Sequence, residues 1–232
     1  CPSDRGQNGS FAACRKQHSA KVARCIEAMH KAVQVPVTVK CRIGIDHDDS
    51  FEFFLNFIKT VHEAGCNTFI IHARKAWLKG LSPKENRDIP PLNYERVLEL
   101  KKLMPNLNIS INGGIKTLEH AKELLTQLDG VMIGRAAYEN PWMLKEADSL
   151  IYNTQDPIWK NRKELLTAYL PYVEQELSQG CPLTIITRHL SSLFNGIPGS
   201  RKYRQMLSEQ APKAKDGVEL LQKAMAFVEE IG

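Results

Sequence analysis

The sequence predicts an α/β protein: the C-terminal half of a (β/α)8 barrel, followed by a small all-α helical bundle. Three observations carry that reading. Between Pro36 and Ile133, four short β-branched runs alternate with stretches of helical period, the pattern of parallel strands joined by right-handed crossovers. Two of those runs end in glycine turns, Asn112-Gly113-Gly114 and Gly134-Arg135, each opening a helix, as at the phosphate-binding end of such barrels. After Pro141 the strand pattern stops and only helical periodicity remains. The expected division is a partial barrel over residues 1–152 and a helical domain over 153–232, with the linker near Asn153 to Pro157.

Composition narrows the class. Hydrophobic residues at 43% against 25% charged are enough for a buried core. No apolar run reaches membrane-spanning length, and no signal-type segment is visible, so no membrane contact is expected. The six cysteines show no metal-type pairing, and Cys25, Cys41 and Cys66 fall among apolar neighbours where burial and reduction are expected. That favours a cytoplasmic enzyme without a metal over a secreted scaffold. The first residue is Cys1, so the N-terminus reads as a cut rather than a beginning.

Taken in order, CPSDRGQNGSFAACRKQ is rich in turn chemistry and reads as a long loop, and long ordered loops are usually functional. Ser19 is expected to cap a helix whose apolar stripe is Val22, Ala23, Ile26, Met29 and Val33. Pro36 to Ile43 alternates as a strand, with Val37, Val39, Cys41 and Ile43 under helices and Thr38, Lys40 and Arg42 inward. Inward cations there are costly unless a ligand or carboxylate neutralises them. A helix over Phe51 to Ala64 ends at Gly65, and the next strand, Thr68 to Arg74, brings Thr68, Ile70, His72 and Arg74 inward. The loop from Arg74 to Asp88 holds five cations against two acids, which reads either as a solvated lid or as a clamp on a polyanion.

Asn93 to Leu103 is a helix, and Ile109 to Ile111 a strand stopped by Asn112-Gly113-Gly114, where a backbone without Cβ lets a ligand approach. Leu118, Ala121, Leu124, Leu125 and Leu128 mark a helix, and Val131 to Ile133 a buried strand. Arg135 adds a fixed charge suited to bidentate phosphate contact, although two tight turns without a ligand would look the same. Helices follow over Arg162 to Leu177, Leu183 to Leu193, Arg201 to Gln210 and Gly217 to Ile231. From Gly180 to Lys215 six cations face one acid, a net of +5 that equals the surplus of the whole chain and reads as an RNA-backbone footprint or a solvated face.

The combination CPSDR, QNG, AAC, VTVKCRIGID, HARKAWLKGLSPKENR, NGGI, GRAAYENPW and TRHLSSLFNGIPGSRKYRQ resembles the tRNA-dihydrouridine synthases, and within them the bacterial subfamily acting on D-loop uridines 20 and 20a. The resemblance covers nearly the whole chain. It implies an FMN-bearing barrel joined to a helical tRNA-binding domain, with NADPH as reductant and uridine reduced at its 5,6 double bond. It implies Cys14 as the catalytic acid, and Lys40, His72, Asn112, Gly113, Gly114, Gly134 and Arg135 as FMN-binding positions. Ala13, Lys84, Arg87, Arg201 and Arg204 would contact tRNA. Departures from the family pattern are Gly6 for a usual valine, Ala12 for glycine, and Arg15-Lys16 for apolar residues.

The resemblance also implies four barrel strands ahead of CPSDR, so the sequence is expected to be the C-terminal two-thirds of a monomeric enzyme. Alone, the fragment is expected to self-associate at its open sheet edges and to hold FMN weakly. Cys14 is expected to donate a proton, its thiol drawn down by Arg15, Lys16 and the nearby helix. Two competing expectations are an FMN barrel dehydrogenase acting on a small pyrimidine-like molecule, and an inactive RNA-binding fragment. The basic lid and helical tail disfavour the first, since a small substrate needs neither.

Overall fold

Helices and strands alternate because apolar period 2 gives way to period 3.6 at each turn signal, and the computed structural model, which describes residues 16–229, follows that alternation. Its contacts separate two compact units: Cys1–Ile115 with Glu119–Gly134, and Lys116–Leu118 with Arg135–Gly232.

The first unit begins with α1 (Ser19–Ala32), then β1 (Val39–Arg42), α2 (Phe51–Glu63), β2 (Thr68–His72), α3 (Tyr94–Leu103), β3 (Asn108–Asn112), α4 (Leu118–Leu125) and β4 (Gly130–Met132). The strands lie in the order β1-β2-β3-β4, and every pair is parallel. A sheet that adds strands in one direction without reversing is an arc of a barrel; a doubly wound sheet would reverse at a switch point. Among the described residues β1 and β4 are its edges, open to further pairing.

Local chemistry sets the ends. Ser50 caps α2 by accepting from the Phe53 N–H at 3.0 Å, and Gly65 follows it at φ 104°. Asn93 caps α3 by accepting from the Arg96 N–H at 3.0 Å. Ser19 does not cap α1: residues 16–18 form a 3-10 turn running into the helix, and His18 holds the cap position without a side-chain bond. The expected apolar stripe on α1 is buried only at Ile26, with Met29 and Val33 over 40% exposed. Cys25 is likewise exposed, against the expectation of burial, because it lies off the Ile26 face. Cys66 is buried, as expected.

The core follows the alternation. Phe69, Ile71, Ile109 and Ile111 are fully buried and meet Phe54, Ile58 and Val61 of α2 and Val97 and Leu100 of α3. Residues of opposite parity, Lys40, Ile70 and Ser110, lie on the other face of the sheet, more open to solvent.

The second unit contains α5 (Arg135–Glu139), a 3-10 turn at Pro141–Glu146, α6 (Ala147–Tyr152), α7 (Arg162–Ser178), α8 (Leu183–Leu190), α9 (Ser200–Gln210) and α10 (Gly217–Ala226). Residues 135–152, grouped with the barrel on sequence, thus group with the helices. Asn195 Nδ2 donates to the Glu139 carbonyl at 2.9 Å, tying that segment to the bundle. Its core is Leu166, Val173, Phe194, Tyr203, Leu221 and Ala224, with Tyr203 wholly enclosed and edge-on to Phe194 at 4.8 Å. Burial raises the Tyr203 phenol well above its ordinary value, and its hydroxyl donates to the Leu190 carbonyl at 3.3 Å.

One buried charge departs from this pattern. Lys16 is 6% exposed, its ammonium lies 4.5 Å from the Phe54 ring centre and 5.0 Å from that of Phe57, and it donates to the Arg42 carbonyl. Burial, against the pull of Cys41 and with a smaller push from Arg96, lowers its pKa from 10.5 to about 8. The folded state therefore binds this proton less tightly than the unfolded chain does. The resulting cost is complete below pH 8, on the order of 3 kcal/mol, and disappears as pH rises through 10.5. Lys16→Met keeps the chain length without the charge, so it should unfold at higher urea than the wild type at pH 7, with the gap narrowing at pH 10. Equal midpoints at pH 7 would refute the burial.

Candidate functional site

Parallel register sets one row of residues at the C-terminal ends of the strands: Arg42 pairs with His72, His72 with Asn112, and Asn112 with Met132. The first three are polar and share a face. Lys40, two residues earlier on the same face, reaches across β2 and donates from Nζ to Asn112 Oδ1 at 3.0 Å. Asn112 in turn donates from Nδ2 to the Met132 carbonyl at 2.7 Å. Lys40 and Asn112 thus form a polar line across the sheet, with His72 (8% exposed) beside it. Burial, and secondarily the neighbouring Arg42, lower the Lys40 pKa, while Cys41 opposes them.

The Gly-Gly turn is held from below: Tyr94 donates its hydroxyl to the Gly113 carbonyl at 2.5 Å, and burial raises its phenol pKa. Gly113 and Gly114 have φ of 116° and 71°, which L side chains rarely adopt. The space a Cβ would take at Gly113 is filled by His72, whose ring would lie 2.5 Å away, and at Gly114 by Leu92 at 2.6 Å. These two glycines therefore seat His72 and Leu92 against the turn. Gly134 differs: nothing comes within 4 Å of where its Cβ would stand, so its backbone is open to close approach.

Arg42 was expected to need a ligand or carboxylate, but its guanidinium donates to the carbonyls of Lys75 at 2.9 Å and Asn86 at 2.8 Å. Those dipoles take up the N–H groups of Nη1 without cancelling the charge. Burial, then the charges of Arg74 and Arg87, hold its pKa at about 10, well below the usual arginine value. Arg42, Arg74 and Arg87 are thus neighbours, a positive cluster beside the row of strand ends.

The loop after β2 is irregular and exposed along its outside but pinned from within. Asn86 is fully buried, accepting from the Trp77 N–H at 2.8 Å and donating to the carbonyls of Trp77 at 2.8 Å and Leu81 at 3.2 Å. Glu85 and Ser82 cap the short 3-10 turn Glu85–Arg87 reciprocally, at 2.7 and 3.3 Å. Lys75 pairs with Asp49 at 2.9 Å and lies over Trp77, so it belongs to the loop's own structure. Lys79 and Lys84 face outward, near-fully to partly solvated.

In the helical unit Arg201 is exposed and Arg204 half-buried, donating to Asn195 Oδ1 at 2.8 Å. Cys14 and Ala13 lie outside the described residues. The Lys16 charge expected to act on Cys14 is committed to the Arg42 carbonyl and the phenylalanine rings. Sequence reasoning missed Asn86, Tyr94 and Lys16. Asn86 and Lys16 carry no periodic signal, and Tyr94 was legible only as a helix-face aromatic.

A one-way parallel arc that brings lysine, histidine and asparagine to one face beside a glycine turn is the architecture of an α/β barrel-type enzyme. The family model described as dihydrouridine synthase (Dus) matches residues 1–230, and the chain belongs to that family of flavin-dependent oxidoreductases. It is 55% identical over 229 residues to the tRNA-dihydrouridine(20/20a) synthase of Yersinia pestis, covering 98% of this chain and 66% of that protein. Against the enzyme of the same name from Vibrio cholerae serotype O1 the identity is 52% over 235 residues, 100% of this chain and 72% of that one. Against that of Escherichia coli strain K12 it is 54% over 229 residues, 98% and 66%. The chain thus spans about two-thirds of the length of these relatives.

Asn86→Ala should strand the Trp77 N–H and two carbonyls in the loop interior, at about 1–3 kcal/mol each for groups that stay dry. Limited trypsin digestion should then cut at Lys79 or Lys84 at least several-fold faster than in the wild type. An unchanged digestion rate would show that the loop is held by something else.

Proposed function

We propose that this chain serves the reduction of the 5,6 double bond of uridine 20 or 20a in the tRNA D-loop, with FMN as bound cofactor and NADPH as reductant. The supporting observation is the Lys40–Asn112 bond beside His72 at the ends of parallel strands, in a chain more than half identical to synthases of that name. The residues present fit a flavin: hydrogen-bonding groups lie on the sheet's open face, and the Gly134 backbone is free for close approach. Lys40, His72 and Asn112 would hold the ring system, and Gly113, Gly114, Gly134 and Arg135 the phosphate. When bound, the flavin supplies the hydride.

The rest falls to the chain's own groups. Lys40, made a weaker base by burial, offers a cation and a donor to an edge that gains negative charge. Asn112 fixes where that ammonium sits. Cys14 delivers the proton to C5 of the uracil, from the face opposite hydride delivery at C6. A thiol of pKa about 8.5 is mostly protonated at neutral pH, as an acid must be. Lys84, Arg87, Arg201 and Arg204, with Ala13, contact the RNA, the cations through its phosphates. A target base must leave its stack to reach such a site. The sheet-bearing unit, with Arg135 at its end, would carry the cofactor, and the helical unit from Arg135 onward would carry most of the RNA contacts.

Replacing Cys14 by Ala in the intact enzyme should leave flavin reduction by NADPH unchanged. Dihydrouridine formed in unmodified tRNA, counted by mass spectrometry of the nucleosides, should fall by about 100-fold or more. A normal modification rate in that variant would assign the proton to another group.

A further inference from the structure

The helical unit carries an aromatic feature that the site above does not use. Tyr138 of α5 is 56% exposed, and its ring stands perpendicular to that of His189 of α8, at 5.9 Å and 84°. Its hydroxyl lies 3.1 Å from His189 Nδ1, and Arg188 Nε donates to His189 Nε2 at 3.0 Å. An arginine Nε–H can only donate, so His189 Nε2 must be the acceptor. The imidazole is then neutral with its proton on Nδ1, donating to the Tyr138 oxygen. The tyrosine O–H donates in turn to the Arg188 carbonyl at 3.4 Å, and the His189–Arg188 bond holds the arginine side chain beside two exposed rings.

The backbone under this cluster is fastened on both sides. Ser192 donates to the Tyr138 carbonyl at 2.5 Å, and Asn195 donates to the Glu139 carbonyl at 2.9 Å. Arg204 reaches the same Asn195 from α9 at 2.8 Å. The cluster is therefore continuous with an arginine assigned above to RNA, in the stretch that carries a net charge of +5 from Gly180 to Lys215. A rigidly seated, solvent-facing aromatic pair inside a cationic surface is the composition of a single-stranded nucleic-acid platform. A surface for an acidic protein would not need the ring, and a structural clasp would bury it.

We propose that Tyr138 and His189, with Arg188 beside them, form a stacking platform for an unpaired base of the bound tRNA, and that Arg188 contacts the adjoining phosphate. The proposal rests on the reading of this unit as RNA-binding. Base stacking carries no charge, so its loss weakens affinity at every salt concentration without changing the salt slope. Loss of a phosphate contact lowers the slope instead.

The test measures binding of the chain to an unmodified tRNA transcript by fluorescence anisotropy across a salt series. Tyr138→Ala should weaken binding about 5- to 100-fold with the wild-type slope. Tyr138→Phe, which keeps the ring, should retain most of the affinity, and Arg188→Ala should lower the slope by about one. As a second measurement on the unaltered protein, a transcript containing 5-iodouridine should crosslink under light to Tyr138 or His189, located by mass spectrometry. If Arg201→Ala and Arg204→Ala weaken binding while Tyr138→Ala does not, the pair is only a clasp and the proposal fails, with the RNA reading intact. If none of these variants changes binding, both fail. Absence of any adduct on either ring also overturns the platform, even where Tyr138→Ala proves too unstable to assay.

Discussion

The polar site depends on strand register. Because the sheet is parallel and unbroken in order, the residues ending each strand stand side by side, and Arg42, His72, Asn112 and Met132 form a row. A slip of one residue in any strand would send its member of that row into the hydrocarbon core. The buried partners of opposite parity, Phe69, Ile71, Ile109 and Ile111, resist such a slip. The same apolar packing that stabilises the first unit therefore sets the distance between Lys40 and Asn112.

A second constraint is electrostatic. Arg42 is satisfied by carbonyl oxygens, and Lys40 by an amide oxygen. Each bond answers the demand for a hydrogen-bond partner and leaves the positive charge in place. Burial makes that charge costly, as the lowered pKa values of Lys40 and Arg42 record. A group bringing negative charge to this end of the sheet would recover part of that cost. A carboxylate built into the same place would have cancelled the attraction.

Alternation along the strands was enough to place Lys40 and His72 on the inward face, since side-chain parity in a strand follows from sequence alone, whereas Asn112 was read only as the stop of its strand. Their mutual geometry was not legible, because Lys40 meets Asn112 over an intervening strand and that requires the register. The space on the Cβ side of Gly113 and Gly114, read from the sequence as open, is taken up by His72 and Leu92. Asn86 was hidden for a different reason: a polar residue in a polar loop has no periodicity to mark it as buried. Lys16 reads as a loop cation until Phe53, Phe54 and Phe57 of α2 are seen to surround it. Ser50 and Asn93 turn out to cap their helices although neither was read as a cap, whereas the expected cap at Ser19 is displaced by a turn that composition does not announce.

The burial of Asn86 separates two things that loops usually combine. The path of the chain from Trp77 to Arg87 is held from inside, with the Asn86 amide bonded to Trp77 and Leu81 and Asp46 accepting from the Leu78 N–H, while among the described residues no side-chain bond is seen for Lys79 or Lys84 on its outside. Outer cations can therefore be exchanged, moved or removed without refolding the loop. Variation among those outer cations is cheap for the fold, and the interior asparagine is the residue that such drift would leave alone.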